Sequence, residues 1–530
     1  MKKTLLSIIT SVSLCSFLGQ DFNGYALYNK QNNNTAYLID KDGNIAKTWN
    51  CNVPCNYAVL LKENGNIVRG GEYSGNQLNG AAVGGIVQEI NPSGNVVWEY
   101  VYSNSDHCAH HDITLIGDNV LLTAWEVKTT NELTQAGYDG ASSDKWPTHF
   151  IEVAQNGNGG QIVWEWHIWD HLIQDFNSSK DNYGIVANHP ELIDINMIAA
   201  SGGGPGGGGP GGNSGDWFHV NGVDYNSDLD QIAFSSRHAS EIYIIDHSTS
   251  INEAASHSGG NSGMGGDILY RWGNPSNYGA SGSQIVTAAV HDIRWIPDDG
   301  RPNGGFLQMF NNSGNNGNSA IDAIDTPKNG FTYNINSGSA YAPSSYTWRH
   351  NCIASASGQS SHNRMSNGNT FVNLSGGQGG AGYMYEVDQN GTIIGSDSSV
   401  VVGVGNYTVS ASTAGCSLYS DTLRVISVSD SLPPTTLNCI WERDGDMYFD
   451  WDHPPGASNT TVYSIMGAEN LGGPYSVVAA VDYPINIYDH PVLSIPPNIQ
   501  FYYITTASTC AQGIISSDTL SAISFDISLL

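Results

Sequence analysis

The segment DWFHVNGVDYNSDLDQIAFSSRH, from Asp216 to His238, places His219, Asn221, Arg237 and His238 within one hairpin's length of chain. His111 in HHDITLIGDNVLLT and His291 in HDIRWIPDDG open phrases of the same kind, each a few residues ahead of an apolar strand. Guanidinium, amide and imidazole donors that converge on one cavity suit a tetrahedral oxyanion, because the forked guanidinium matches its oxygens. A neutral imidazole is also a nucleophile and can carry a transferred group between two partners. Sulfuryl transfer, like phosphoryl transfer, then needs little beyond positioning and stabilised oxygen charge. Three histidines could bind zinc or copper instead, but a cation at Arg237 would oppose a metal, so neither a metal nor a cofactor is expected.

These residues lie far apart in sequence, so a repeated architecture has to bring them together. A strand, turn, strand phrase ending in an aromatic residue recurs as YLIDKDGNIAKTW from Tyr37, QEINPSGNVVWEY from Gln88, IEVAQNGNGGQIVWEW from Ile151 and YEVDQNGTIIG from Tyr385. The DG, SG and NG pairs supply hairpin turns, and apolar alternation on either side supplies strands. A second phrase falls between these hairpins, as in NYAVLLKENGNIV, HHDITLIGDNVLLT, HVNGVDYNSDLDQIAFSS and HNRMSNGNTFVNL. Two alternating phrases make a four-stranded unit, and its repetition at roughly 60 to 90 residues predicts a β-propeller of about six blades. The first strand of each blade lines the axis, so equivalent histidines meet there. A single histidine at a strand entrance is ordinarily solvated or hydrogen-bonded; the repetition is what shifts the weight towards function. His110 and His238 neighbour His111 and Arg237, and strand alternation sends them to the opposite, peripheral face.

The opening MKKTLLSIITSVSLCSFLGQ has the basic start, apolar run and small or polar end of a signal peptide over residues 1–20, so export to the periplasm or the extracellular space is expected. No later apolar run is long enough to span a bilayer. A net charge of −30 leaves no basic surface for nucleic acid. Charged residues make up only 13% of the chain, and the abundant Gly with bursts of Val, Ile, Tyr and Trp favours an all-β fold. The propeller is expected over 21–395. Residues 396–432 read as its closing strand and spacer or as a small immunoglobulin-like segment, and 433–530 as a small C-terminal fibronectin-III or immunoglobulin-like β-sandwich. Cys51 and Cys55 are close enough in sequence to close a small disulfide loop, and Cys439 with Cys510 is a second candidate pair.

Several other features carry less. WEWHIWDHLIQDF, from Trp164, holds His167 and His171 in an aromatic cluster that reads as core or pocket rim. Asp298 and Asp299 read as a solvated turn, Asp40 and Asp42 as a hairpin turn lacking the glutamate of a calcium loop. GGGPGGGGPGG, from Gly202, reads as a connection without a phosphate-binding lysine.

Taken together, the long phrases HHDITLIGDNVLLTAWE, WEWHIWDHLIQDF, HPELIDIN, DWFHVNGVDYN, SSRHASEIYIIDHSTS, ILYRWGNP, HDIRWIP to MFNN, and SNGNTFV resemble the bacterial arylsulfate sulfotransferases from Gly24 to Ile394. The resemblance implies an exported six-bladed propeller that moves a sulfuryl group from a small aryl sulfate to a phenol without a nucleotide donor. It implies that His291 is transiently sulfated, that His219, Asn221 and Arg237 hold sulfate oxygens, and that His111 completes the pocket. A last-blade hydroxyl is expected among SSHNRM, with strand register favouring Ser361 over Ser360 or His362. The C-terminal β modules point to surface, polymer or cell-envelope contacts. The rival expectation is a secreted propeller that binds an anionic ligand or glycan without catalysis.

Overall fold

The alternating phrases fold into four-stranded antiparallel sheets. In the computed structural model the described residues are 25–198, 215–375 and 383–394, apart from 30–32, 41–44, 283 and 285–288, together with short strands between 400 and 521. The expected signal peptide, the glycine-rich run and Asp42 of the expected hairpin turn lie outside the described residues.

Six blades follow in chain order. Blade 1 contains Tyr25–Asn29, Thr35–Asp40 and Ile45–Asn50, and Arg424–Ile426 pairs antiparallel with Tyr25–Asn29 on its inner side. Blade 2 contains Cys55–Leu61, Ile67–Glu72, Gly85–Ile90 and Val96–Val101, and blade 3 His107–Ile116, Asn119–Glu126, Thr148–Asn156 and Gly159–His167. Blade 4 contains Val220–Asn226, Gln231–Ser236, Glu241–Asp246 and Tyr270–Trp272. Blade 5 contains Val290–Trp295, Leu307–Asn315, Asn318–Ile324 and Trp348–Asn351. Blade 6 contains Ser361–Arg364, Thr370–Leu374, Tyr383–Val387 and Ile393–Ile394. Beyond the ring, one sheet orders Leu437–Arg443, Asp446–Trp451 and Ile487–Pro491. A second orders Ser476–Asp482, Thr461–Ala468 and Phe501–Ser508, with Ile515–Ser516 and Leu520–Ser521 on its edge.

Blades pack because successive residues of a strand face opposite neighbours. All of Glu241–Asp246 is buried: Tyr243 and Ile245 join Phe150, Trp164 and Trp166 of blade 3, while Ile242 and Ile244 join Val290, Leu307 and Met309 of blade 5. A separate apolar cluster fills each interface, including Ala26, Tyr28 and Ile39 of blade 1 against Phe371 and Met384 of blade 6, which closes the ring. The recurring terminal tryptophan has a second role. Trp98 donates its indole N–H to Gly159 O, Trp166 to Gly266 O, Trp272 to Pro343 O and Trp348 to Gln389 O, in each case reaching the following blade.

At the axis the inner strands are joined by carboxylates that accept a backbone N–H from the next blade. Asp112 Oδ2 takes Val223 N at 3.0 Å, Asp224 Oδ2 takes Trp295 N at 2.9 Å, and Asp292 Oδ2 takes His362 N at 2.7 Å. Arg294 sits among them, bonded to Asp292 Oδ1 at 2.8 Å and Asp112 Oδ2 at 3.1 Å. Gly222 permits the close approach, since a Cβ there would lie 2.8 Å from Asp292 N.

The expected Cys51–Cys55 bridge is not formed, and both residues are present as buried thiols. The crossing from blade 1 to blade 2 ties each backbone N–H to a different carbonyl, Cys51 to Asn34 O and Cys55 to Asn33 O, instead of folding the loop back on itself. The expected Cys439–Cys510 pair lies outside the residues whose side chains are described.

Candidate functional site

Three inner strands open on the site residues, and each breaks its pairing register there: between Ala109 and Ile113, between Val220 and Gly222, and between His291 and Arg294. The backbone turns left-handed at His111 (φ 46°), His219 (φ 53°) and Asp292 (φ 49°), a region L-residues rarely occupy. Such bulges re-aim side chains beside active sites. They also defeat simple alternation, so His110 and His238, expected on the periphery, touch the cluster. His110 Nδ1 lies 2.7 Å from His111 Nδ1, and the His238 ring is 4.7 Å from that of His219.

The cluster itself draws on several blades. The His111 and His219 rings meet edge to face at 4.7 Å, and Tyr57 of blade 2 stacks on His111 at 5.8 Å. His219 Nδ1 lies 2.7 Å from Asp216 Oδ2, and its carbonyl accepts the Arg237 backbone N–H at 3.0 Å. Asn221 accepts from Ser235 Oγ at 2.7 Å and donates to Val290 O at 2.8 Å, so it ties blade 4 to the strand that carries His291. Arg237 is 7% exposed; Nη2 reaches Ser357 O at 3.5 Å, and Nη1 is buried without a hydrogen-bond partner. A buried charged donor left unsatisfied is costly, so an anion set against it would be stabilised.

The surroundings of His291 settle its tautomer. Nδ1 lies 2.7 Å from Ala289 O and 2.8 Å from Asn312 Oδ1, and Asn312 is oriented by donating Nδ2 to Ala356 O and Gln359 O. A carbonyl can only accept, so the proton is on Nδ1. Nε2 then carries the lone pair and accepts the Gln359 N–H at 3.1 Å. Burial and the nearby Arg237 guanidinium push the His291 imidazole down to about 3, although the bonds to Ala289 and Asn312 work the other way. Burial likewise lowers His110 to about 3 and His238 to about 4, and holds His111 well below the ordinary value. Burial opposes ionisation of Asp216, but His219 outweighs it and brings the carboxyl down to about 2.

Ser361 accepts from Asn373 Nδ2 at 3.0 Å within the blade 6 sheet. Just ahead of that strand, Gln359 donates its backbone N–H to His291 Nε2 at 3.1 Å, and its side chain donates to Tyr57 Oη at 2.7 Å. Residue type and spacing do not single out Asp216, Asn312 or Gln359; an acid three residues before His219 is the one signal the sequence carries for them. A cavity of about 480 Å³, lined by residues that include Asp224, Arg294, Trp295 and His362, opens at the far end of the same inner strands.

This cluster should make the fold acid-sensitive. An imidazole whose folded-state pKa is depressed stays neutral in the fold, so the unfolded chain binds more protons below about pH 6.5, and stability falls with pH from there towards the folded value near 3. Each such histidine contributes a slope of about 1.4 kcal/mol per pH unit. His167 and His247 have the opposite sign, because Glu126, and Glu152 with Asp230, outweigh their burial. They are outnumbered by His110, His111, His149, His238, His291 and His350. The melting temperature should therefore drop steeply between pH 6.5 and 4, before the low Asp216 and Asp292 carboxyls take up protons. A flat profile across that window would contradict the buried neutral cluster.

Fold and site together define a six-bladed propeller with a cluster of buried histidines beside Arg237 on its axis. The arylsulfotransferase (ASST) family model matches residues 17–342, and the chain belongs to that family. The match includes His111, His219, Asn221, Arg237 and His291, while Gln359 and Ser361 lie beyond it. The family implies a sulfotransferase that acts on small aryl sulfates and phenols. No curated protein matches the chain. Similar solved structures include a protein of unknown function from Bacteroides caccae, at 11% identity over 70% of this chain and 92% of that one, with a TM-score of 0.38. A protein from Lactobacillus plantarum is 9% identical over 88% and 99% of the two chains, with a TM-score of 0.34. A luciferin-regenerating enzyme is 10% identical over 72% and 96%, with a TM-score of 0.32. Among the described residues no helix is long and apolar enough to cross a membrane.

Proposed function

We propose that the protein transfers a sulfuryl group from an aryl sulfate to a phenol in two half-reactions through His291. The observation that carries this reading is the pairing of a neutral imidazole, its lone pair on Nε2, with the unpartnered Nη1 of Arg237. In the first half-reaction Nε2 forms a bond to sulfur, the ester S–O bond breaks, and the electron pair leaves with the phenolate oxygen. Nδ1 keeps its proton, and Ala289 O and Asn312 Oδ1 support the positive charge that develops on the ring. His219, paired through Nδ1 with Asp216, supplies the proton the phenolate needs. In the second half-reaction the acceptor phenol returns a proton to His219, its oxygen attacks sulfur, and the N–S bond breaks to restore Nε2.

Arg237, the second amide hydrogen of Asn221, and His111 serve the three non-bridging oxygens. Once the Nε2 lone pair is committed to sulfur, the Gln359 N–H becomes one more donor beside them. Ser361 remains a second-rank candidate behind Gln359. Residues 1–20 would export the enzyme to the periplasm or beyond, where aryl sulfates rather than nucleotide sulfates serve as donors. Residues 433–530 would form a fibronectin-III-like module for surface or polymer contacts, a reading that the order of strands in its two sheets supports.

The test is a single-turnover incubation with a chromogenic aryl sulfate and no acceptor, digested at neutral or alkaline pH for peptide mass spectrometry. A sulfonate on the His291 peptide with stoichiometric phenol release is expected. The binding-only propeller draws on the Gln359 N–H that occupies Nε2; saturable ester binding with neither adduct nor phenol would establish it and remove the transferase reading.

A further inference from the structure

We propose that His171, His257 and Asp267 form a binding site for zinc or a similar late first-row divalent cation, clasping the outer edges of blades 3 and 4. His171 closes the single turn Ile168–His171 that follows the last strand of blade 3, and His257 and Asp267 lie in the connection between Glu241–Asp246 and Tyr270–Trp272 of blade 4. One ligand atom from each residue falls within 4.8 Å of the others. Both imidazoles converge on the same carboxylate oxygen, His171 Nδ1 at 2.8 Å and His257 Nδ1 at 2.7 Å from Asp267 Oδ1.

The hydrogen bond on the far side of His171 gives this convergence its meaning. Nε2 lies 2.8 Å from Ala254 O, and a carbonyl has no proton to give, so Nε2 carries the hydrogen. In the neutral ring Nδ1 is then a bare lone pair aimed at a carboxylate oxygen, two acceptors face to face. A cation between them resolves that conflict, and an imidazole that donates its other N–H to a backbone carbonyl is the usual arrangement of a metal-ligating histidine. A second proton on His171 is the alternative.

The surroundings hold these groups in place. His171 is fully buried, and Trp166 stacks on it at 5.5 Å with planes 4° apart while its indole N–H donates to Gly266 O. Gly266 admits no side chain, since a Cβ would lie 1.9 Å from Ala254 O and 2.6 Å from His171 Nε2. The loop is therefore packed to set Asp267 against His171. His257, with 63% of its side chain exposed, leaves the site open to water for the remaining positions. Two imidazole nitrogens and one carboxylate oxygen match zinc and its neighbours, whereas calcium and magnesium take oxygen ligands.

The sulfuryl chemistry at the axis does not enter this proposal. The test uses untagged full-length protein, stripped with chelator and titrated with zinc chloride against a chromophoric competitor, with cobalt(II) absorption as a second probe. One zinc per chain, ligand-field bands with cobalt, and a zinc-dependent rise in melting temperature are expected. His257→Ala removes an exposed ligand without disturbing the core, and it and Asp267→Asn should each weaken zinc at least about tenfold and abolish the thermal shift. Absence of saturable binding to the folded wild type, or equal affinity in both variants, would overturn the site and leave a protonated His171 hydrogen-bonded to Asp267.

Discussion

His291→Ala is expected to lower kcat for aryl sulfate turnover by on the order of 10⁴-fold or more, the scale on which loss of a covalent nucleophile acts. In the proposed mechanism the whole reaction passes through Nε2, and no neighbouring group is placed to take over: His111 and His219 are held by Tyr57 stacking and by Asp216. The variant should still fold. It loses bonds to Ala289 O, Asn312 Oδ1 and the Gln359 N–H, a cost of about 1–3 kcal/mol for the groups left unsatisfied. It also loses an imidazole whose buried neutral state penalises folding at low pH, so the acid limb of its stability profile should become shallower. Steady-state rates and a phenol burst assay without acceptor check the first expectation, and melting temperature against pH checks the second. Near-normal kcat in the folded variant would rule out a covalent intermediate on this residue.

How far the sequence could see depends on which regularity each residue obeys. The blades were legible because they obey period two: Glu241–Asp246 splits its side chains between two neighbours as alternation requires, and the terminal tryptophans mark where one blade meets the next. The axial histidines were legible because each opens an equivalent strand. What escaped were residues whose placement depends on broken regularity. His110 and His238 were assigned to the far side by alternation, but the register break after Ala109 and the turn beyond Ser236 bring them against the cluster. Gln359 (φ 58°) and Ser360 (φ 84°), just ahead of Ser361, leave the strand geometry, so alternation does not reveal that the Gln359 backbone reaches His291. Asn312 lies just past paired Asn311, where the strand pair again loses register. His171 read as aromatic core, which its stacking on Trp166 supports, but its second-blade partners His257 and Asp267 come from a loop of turns with no periodicity to follow.

Arg237→Ala is expected to separate function from stability. Removing one donor to a developing oxyanion costs about 10²–10³-fold in turnover, and Arg237 is the arginine whose charge acts on His291. For the fold the expectation runs the other way. Arg271, Arg294 and Arg349 each meet a carboxylate, at 2.6, 2.8 and 2.5 Å, and their charge is balanced by the protein. The Arg237 side chain has one long bond to Ser357 O and a buried Nη1 with no protein partner, and burial lowers its pKa. Its firmest bond, from the backbone N–H to His219 O, survives substitution by alanine. A charge the protein leaves unbalanced is a liability to the empty fold, retained where a ligand balances it. The variant should therefore lose activity with a melting temperature equal to or above that of the wild type. Added sulfate should raise the wild-type melting temperature and leave that of Arg237→Ala unmoved. Activity within about twofold of wild type would remove Arg237 from the oxyanion pocket. Equal sulfate stabilisation in the two proteins would show that the anion is held by His111, His219 and Asn221 without it.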